Sequence, residues 1–333
     1  MTTDTTPSTA PSAPEPAAQS RFSFAAVLQS FGPAIILLAL LFFATLMSDV
    51  FLTPRNIWNV LRQVSGVGLM SLGMLFVILT RGIDLSVGSV AALGSVTAAI
   101  IVQNYGTGMA VGAAMAVGLA CGLLSGLLVA FLKLPPFVTT LAVMTIARGA
   151  ALITSSGQPI RMGDAGDTIT AFGFGNLWGV PYPVILLFAM FALAALVLTY
   201  TRFGRMVKAV GSNPEAVRLS GISIWRYELS VYAISGMLAA LAGVISTSRT
   251  GIGSAIISVG AELDAIAAVV IGGASLLGGR GGAINTFIGV FILGIISNLM
   301  NLANVPGYHQ QVFMGVIIIG AMLLQYGTSV LKR

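Results

Sequence analysis

The chain has 333 residues, of which 56% are hydrophobic and only 8% charged, with a mean hydropathy of +0.97 and a formal net charge of +6. Soluble domains carry about 25% charged residues, so this composition excludes a soluble globular protein and indicates an integral membrane protein. The cations lie mainly in loops between apolar runs, so membrane topology explains them and nucleic acid is not an expected partner.

Residues 1–30 read as a disordered cytoplasmic tail. Its first part, Met1 to Ser20, is rich in Thr, Ala, Pro and Ser and lacks the basic start and apolar core of a signal peptide. The apolar run near Phe31 to Leu46 then acts as an uncleaved membrane anchor. A bilayer core needs about 20 apolar residues per helix. Candidate spans fall at 31–48, 61–80, 85–104, 109–131, 137–154, 181–201, 228–249, 263–279, 283–302 and 310–330. The expected fold is therefore an all-α transmembrane domain over 31–330 with about ten helices.

Two spans look interrupted. The junction Thr80-Arg81-Gly82-Ile83-Asp84-Leu85-Ser86-Val87-Gly88 and the stretch from Gly272 to Gly282 both set Gly-rich backbone and charge beside short apolar segments. Broken helices in corresponding positions of two halves point to a transport pathway. VILTRGIDLSVGS and VIGGASLLGGRGG share a loose pattern of the kind an inverted repeat leaves, without enough identity to establish one; ordinary Gly-rich turns are the plainer alternative.

Asp84 precedes an apolar helix, where it can cap free N–H groups or coordinate a solute. Glu262 and Asp264 open the eighth span in the same way. Arg148 lies inside a short apolar span, where an ionisable group is costly. It has three readings: contact with a hydroxylated substrate, pairing with Asp164 or Asp167, or snorkelling to the interface. Asn298 and Asn301, three apart on one helix face, can bond sugar hydroxyls or a neighbouring helix. Gly118, Gly122 and Gly126 form small-xxx-small steps suited to close helix packing.

The longest polar island is the loop 202–227. It holds Arg202, Arg205, Lys208, Arg218 and Arg226 against the single acid Glu215. A cationic loop between apolar runs belongs on the cytoplasmic side. Its length suits a small surface helix that docks a cytoplasmic partner. With this loop inside, ten spans leave both termini inside, and 155–180 becomes the longest external connection, able to cap a pore.

Catalytic and metal chemistry find no support. His309 is the only histidine, and Cys121 is the only cysteine and sits in an apolar run. The stretch from Gly273 to Arg280 lacks the Gly-Lys-Ser/Thr ending of a phosphate-binding loop. The chain reads as a transporter component rather than an enzyme. An ion-coupled secondary transporter would carry acids at mid-span, and apart from Asp84 at a helix boundary none is seen.

The stretches GMLFVILTRGIDLSVGSVAALG (73–94), PPFVTTLAVMTIARGAAL (135–152), GSNPEAVRLSGI (211–222), ELDAIAAVVIGGASLLGGRGG (262–282) and GYHQQVFMGVIII (307–319) together resemble the permease subunits of bacterial ABC sugar importers, ribose-type branch. The resemblance covers about residues 30–330. It implies the ABC importer permease fold and a homodimer with a path at its interface, set in inner-membrane lipid. It also implies a cytoplasmic ATP-binding subunit that holds ATP and Mg, and a periplasmic sugar-binding protein. The segment Asn213, Pro214, Glu215, Ala216, Arg218, Leu219 and Gly221 resembles the coupling helix that seats in the ATPase, although Pro214-Glu215 departs from the small residues of some members. Related permeases carry nucleosides, polyols, autoinducer-like furanoses and branched-chain amino acids, so the cargo stays open.

Overall fold

The computed structural model describes residues 24–330. Most of the expected tail, residues 1–23, lies outside them. The chain divides into two units, Met1–Gly32 and Pro33–Arg333. The described part of the first unit is the start of the first helix, and all else below concerns the second unit.

Twelve α-helices occur among the described residues: α1 (Phe24–Met47), α2 (Pro54–Leu79), α3 (Val87–Ala130), α4 (Pro136–Thr154), α5 (Asp167–Phe174), α6 (Tyr182–Tyr200), α7 (Arg202–Ser212), α8 (Pro214–Leu219), α9 (Ile224–Thr250), α10 (Ala261–Ile271), α11 (Ala283–Leu302) and α12 (Gly307–Val330). Six of them, α2, α3, α4, α6, α9 and α11, are long and apolar enough to cross a membrane. The molecule is an all-α membrane protein.

Several helices start at sequence-legible caps. Thr53 accepts from the Asn56 N–H with Pro54 in the first turn, and Thr201 accepts from the Gly204 N–H at the start of α7.

The two expected spans at 85–104 and 109–131 form one 44-residue element, α3, broken where Gly106 adopts φ 75° and ψ 173°. Glycine carries no Cβ penalty there. Both arms lie along α9, in opposite senses. On the first arm, an added Cβ at Gly94 would meet Ala240, one at Gly243 of α9 would meet Ala91, and Ser95 shares a 2.6 Å hydrogen bond with Thr247. On the second arm, Gly118, Gly122 and Gly126 sit against Gly236, Tyr232 and Leu229, so ascending numbers on α3 meet descending numbers on α9. The small-residue stripe is thus consumed inside this chain.

The eighth span, expected at 263–279, is corrected. Helix α10 ends at Ile271, and 272–282 is a glycine-rich turn region in which Gly273, Gly278 and Gly279 have positive φ. An α-helix cannot continue through successive left-handed residues.

The connection 155–180 is structured. It holds β1 (Ile160–Arg161), a 3-10 turn at Gly163–Gly166, α5, and a hairpin of β2 (Asn176–Leu177) with β3 (Val180–Pro181). β1 pairs antiparallel with β4 (Ile252–Gly253), and Gly173 of α5 lies against Ser248. This connection is therefore fastened to the Thr250 end of α9, while α8 precedes the Ile224 end.

Candidate functional site

Three chain reversals meet where α2, α7 and α10 end. Helix α7 buries Gly204, Val207, Val210 and Gly211, a three–four spaced stripe, and exposes Arg202 and Arg205. Its last carbonyls have no partners within the helix. Arg81 supplies them: its Nε donates to the Gly211 carbonyl at 2.6 Å and its Nη2 to the Ser212 carbonyl at 2.8 Å. The Gly279 N–H donates to the Leu79 carbonyl at 3.0 Å. A Cβ on Gly211 would collide with that same Leu79 carbonyl, so the close approach requires glycine.

The two Gly-rich junctions singled out in the sequence are thus in direct contact, with the cationic loop joined to both. Arg81 holds this position at φ 68°, a left-handed conformation that is uncommon for a non-glycine residue.

The α2–α3 junction continues inward from Arg81. Gly82 is packed on the Tyr232 hydroxyl, and Thr140 of α4 donates to the Ile83 carbonyl at 3.1 Å. Asp84 is 1% exposed. Its carboxylate accepts from the Ser86 N–H at 3.0 Å, the Ser86 hydroxyl at 2.5 Å and the Ser235 hydroxyl at 2.7 Å. Ser235 stands about three turns into α9, so Asp84 ties the junction to the middle of that helix. A cavity of about 240 Å³ opens beside this joint, lined by Arg81, Pro214, Tyr232 and the ion pair Lys133–Glu228 at 3.2 Å.

Beyond the joint, α8 projects outward. Asn213 caps it, accepting from the Ala216 N–H at 3.1 Å, and Pro214 follows in the first turn. Glu215 and Arg218 bond each other at 2.6 Å, both exposed, and the carboxylate raises the Arg218 pKa above its ordinary value. Ala216 is exposed, Leu219 is 79% exposed, and Gly221 closes the turn at φ 74°. Val217 is buried against the chain's own body, which removes it from the apolar surface offered outward.

The remaining path candidates do not converge on this place. Arg148 of α4 donates to the carbonyls of Ala255 and, at 2.9 Å, Ile257, and so fastens α4 to the segment before α10; it makes no ion pair with Asp164 or Asp167. Asn298 is buried in a reciprocal amide pair with Asn56, at 3.0 and 2.9 Å, near the opposite end of α2 from the joint. Asn301 is exposed and accepts from Gln310 at 2.9 Å.

Arg81, Asn56, Tyr232 and Ser235 were not separable from their neighbours in sequence. Arg81 carried only a topological signal, and the others depend on partners more than a hundred positions away. No group of His, Cys, Asp and Glu that could hold a metal occurs among the described residues.

The family model described as "Branched-chain amino acid transport system / permease component" matches residues 56–322. Over 307 residues the chain is 44% identical to the ribose import permease protein RbsC of Bacillus subtilis (strain 168), covering 92% of this chain and 95% of that protein. It is 40% identical over 293 residues to the ribose import permease protein RbsC of Escherichia coli (strain K12), covering 87% and 91%. It is 36% identical over 318 residues to the L-arabinose transport system permease protein AraH of Escherichia coli (strain K12), covering 95% and 96%. No solved structure matches.

Proposed function

This chain belongs to the branched-chain amino acid transport system / permease component family, and from that premise we propose that it is the membrane-spanning subunit of an ATP-driven importer for a ribose-like monosaccharide. Two copies form the path in the inner membrane, within membrane lipid. A cytoplasmic subunit holds ATP and Mg and hydrolyses the nucleotide. A periplasmic sugar-binding protein delivers the cargo, and both termini lie inside. The sugar is inferred from the relatives, which are permeases for ribose and L-arabinose.

The observation that carries the energetic half of this reading is the joint. Helix α8 is exposed, cationic at its surroundings and capped at both ends, which suits a part pressed by another subunit. One route from it into the bundle is short: Ser212 and Gly211 are gripped by Arg81, and three residues on, Asp84 grips α9 through Ser235. Displacement of α8 is thereby handed to the α2–α3 junction and to α9, whose far end frames the outer connection. A packed interior transmits such shifts rather than absorbing them.

Reconstitution tests the proposal. Purified permease alone hydrolyses no ATP above background. The complete complex hydrolyses ATP in response to the loaded binding protein and accumulates ribose or a related sugar. Uptake driven by a proton or sodium gradient in liposomes without the ATPase would overturn it.

A further inference from the structure

A second cavity, of about 250 Å³, lies between α2, α9 and α10, towards the Thr250 end of α9 and well away from the joint. Five polar side chains line it: Gln63, Ser246, Arg249 and Asp264 from three helices, and Ser258 from the segment before α10. Polar groups in membrane-spanning regions are expensive and normally find partners. Here Gln63 is exposed and Ser246, Arg249 and Asp264 are half-buried. Among the described residues Gln63, Ser246 and Asp264 have no side-chain hydrogen-bond partner, Arg249 makes a single long bond of 3.4 Å to the Arg62 carbonyl, and no ion pair joins Arg249 to Asp264.

An amide, a hydroxyl, a guanidinium and a carboxylate therefore converge on one space with their bonding capacity open. Together they offer donors and acceptors in several directions, which matches a ring of hydroxyls. A lipid tail would leave all of them unsatisfied, and an anion would face the Asp264 carboxylate. Drug-sized ligands occupy about 300–1,000 Å³, so this volume suits something smaller. The wall also carries apolar side chains, with Met70 and Ile245 buried, as a surface for the C–H face of a ring.

We propose that this cavity is each copy's own contribution to the cargo path, holding a neutral polyhydroxylated solute of monosaccharide size on Gln63, Ser246, Arg249 and Asp264. The inference rests on the importer reading above. Asp264 also lies in the first turn of α10, where a carboxylate complements the helix dipole. Asp264→Asn and Asp264→Ala both lose that charge, but only the first keeps side-chain polarity in the cavity.

The test uses the complete complex in proteoliposomes with saturating loaded binding protein. Gln63→Ala with Asp264→Ala lowers sugar delivered per ATP hydrolysed by about tenfold or more, since the lost hydrogen bond to the Asp264 carboxylate alone weakens transient binding by about that factor and the lost amide bond adds to it. ATPase assembly and its stimulation by the binding protein stay near wild type, and Asp264→Asn recovers part of the yield. In a Cys121→Ser background, Ser246→Cys reacts with a small hydrophilic thiol reagent. Wild-type sugar yield in the double variant, or an unreactive Cys at 246, overturns the cavity assignment while the importer reading stands. A wild-type complex that moves no hydroxylated solute overturns both.

Discussion

Arg81 shows why a residue can matter without being legible. In sequence it is one cation in a Gly-containing turn, and charge asymmetry accounts for it fully. Its importance lies in a left-handed backbone that suits glycine better and in a guanidinium that spans two carbonyls about 130 positions away. A left-handed non-glycine residue costs roughly 1–3 kcal/mol, and the two bonds to a partly exposed guanidinium offset a comparable amount. Arg81→Gly therefore leaves folding and membrane level near wild type, because relief of strain balances lost bonds. Transport behaves differently: the grip on α7 is gone, and ATP hydrolysis runs with little sugar uptake. Arg81→Lys keeps the charge but lacks the planar fork that reaches both carbonyls, so it is also uncoupled. Measuring hydrolysis and uptake side by side checks this, and full coupling in the lysine variant would reduce Arg81 to a topological charge.

At the scale of elements, the apolar runs gave the helices directly, because a bilayer demands long unbroken ones. Gly-rich backbone marked both junctions as breaks. Their mutual contact rests on the Leu79–Gly279 bond, which local pattern cannot reveal, whereas α10 stops at Ile271 through its own glycine turn, with the Gly273 N–H bonded to the Val270 carbonyl. The orientation of α8 was equally hidden: in six residues, helical periodicity does not say whether Val217 or Leu219 faces outward. In the fold, Val217 turns in and the outward surface is Glu215, Ala216, Arg218 and Leu219. The Glu215–Arg218 pair is exposed on both sides, so it contributes at most about 1 kcal/mol to folding. Glu215→Arg and Arg218→Glu each reach the membrane at normal level and lose ATPase capture in a pull-down. The double swap restores the pair within α8 but reverses what it presents. It stays defective if the two groups meet a partner, whereas recovery in the double swap would make the pair an internal strut.

For the whole molecule, α9 sets the geometry. It has 27 residues and is about 40 Å long at 1.5 Å per residue, more than a bilayer core of about 30 Å. At its Thr250 end the connection 155–180 is fastened through the β1–β4 pairing and the contact of Gly173 with Ser248. At its Ile224 end stand α7 and α8. These two regions therefore face opposite sides of the membrane, whichever way the chain is inserted. The proposed insertion rests on charge: five of the chain's 16 Lys and Arg lie in 202–226, and because such cations resist translocation we propose that α8 stays on the cytoplasmic side. The chain has a single native cysteine, so Cys121→Ser gives a clean background. In it, Gln158→Cys is modified by a membrane-impermeant thiol reagent added to intact spheroplasts. Ser212→Cys reacts only after permeabilisation, and Asn213→Cys behaves as Ser212→Cys does, although loss of the cap loosens α8. Two results are informative in different ways. Reversal of both sites would invert the orientation and move the docking surface outside, out of reach of any cytoplasmic ATPase. Labelling of both sites from one side would instead break the geometric argument, because the ends of a spanning α9 cannot share a face of the bilayer.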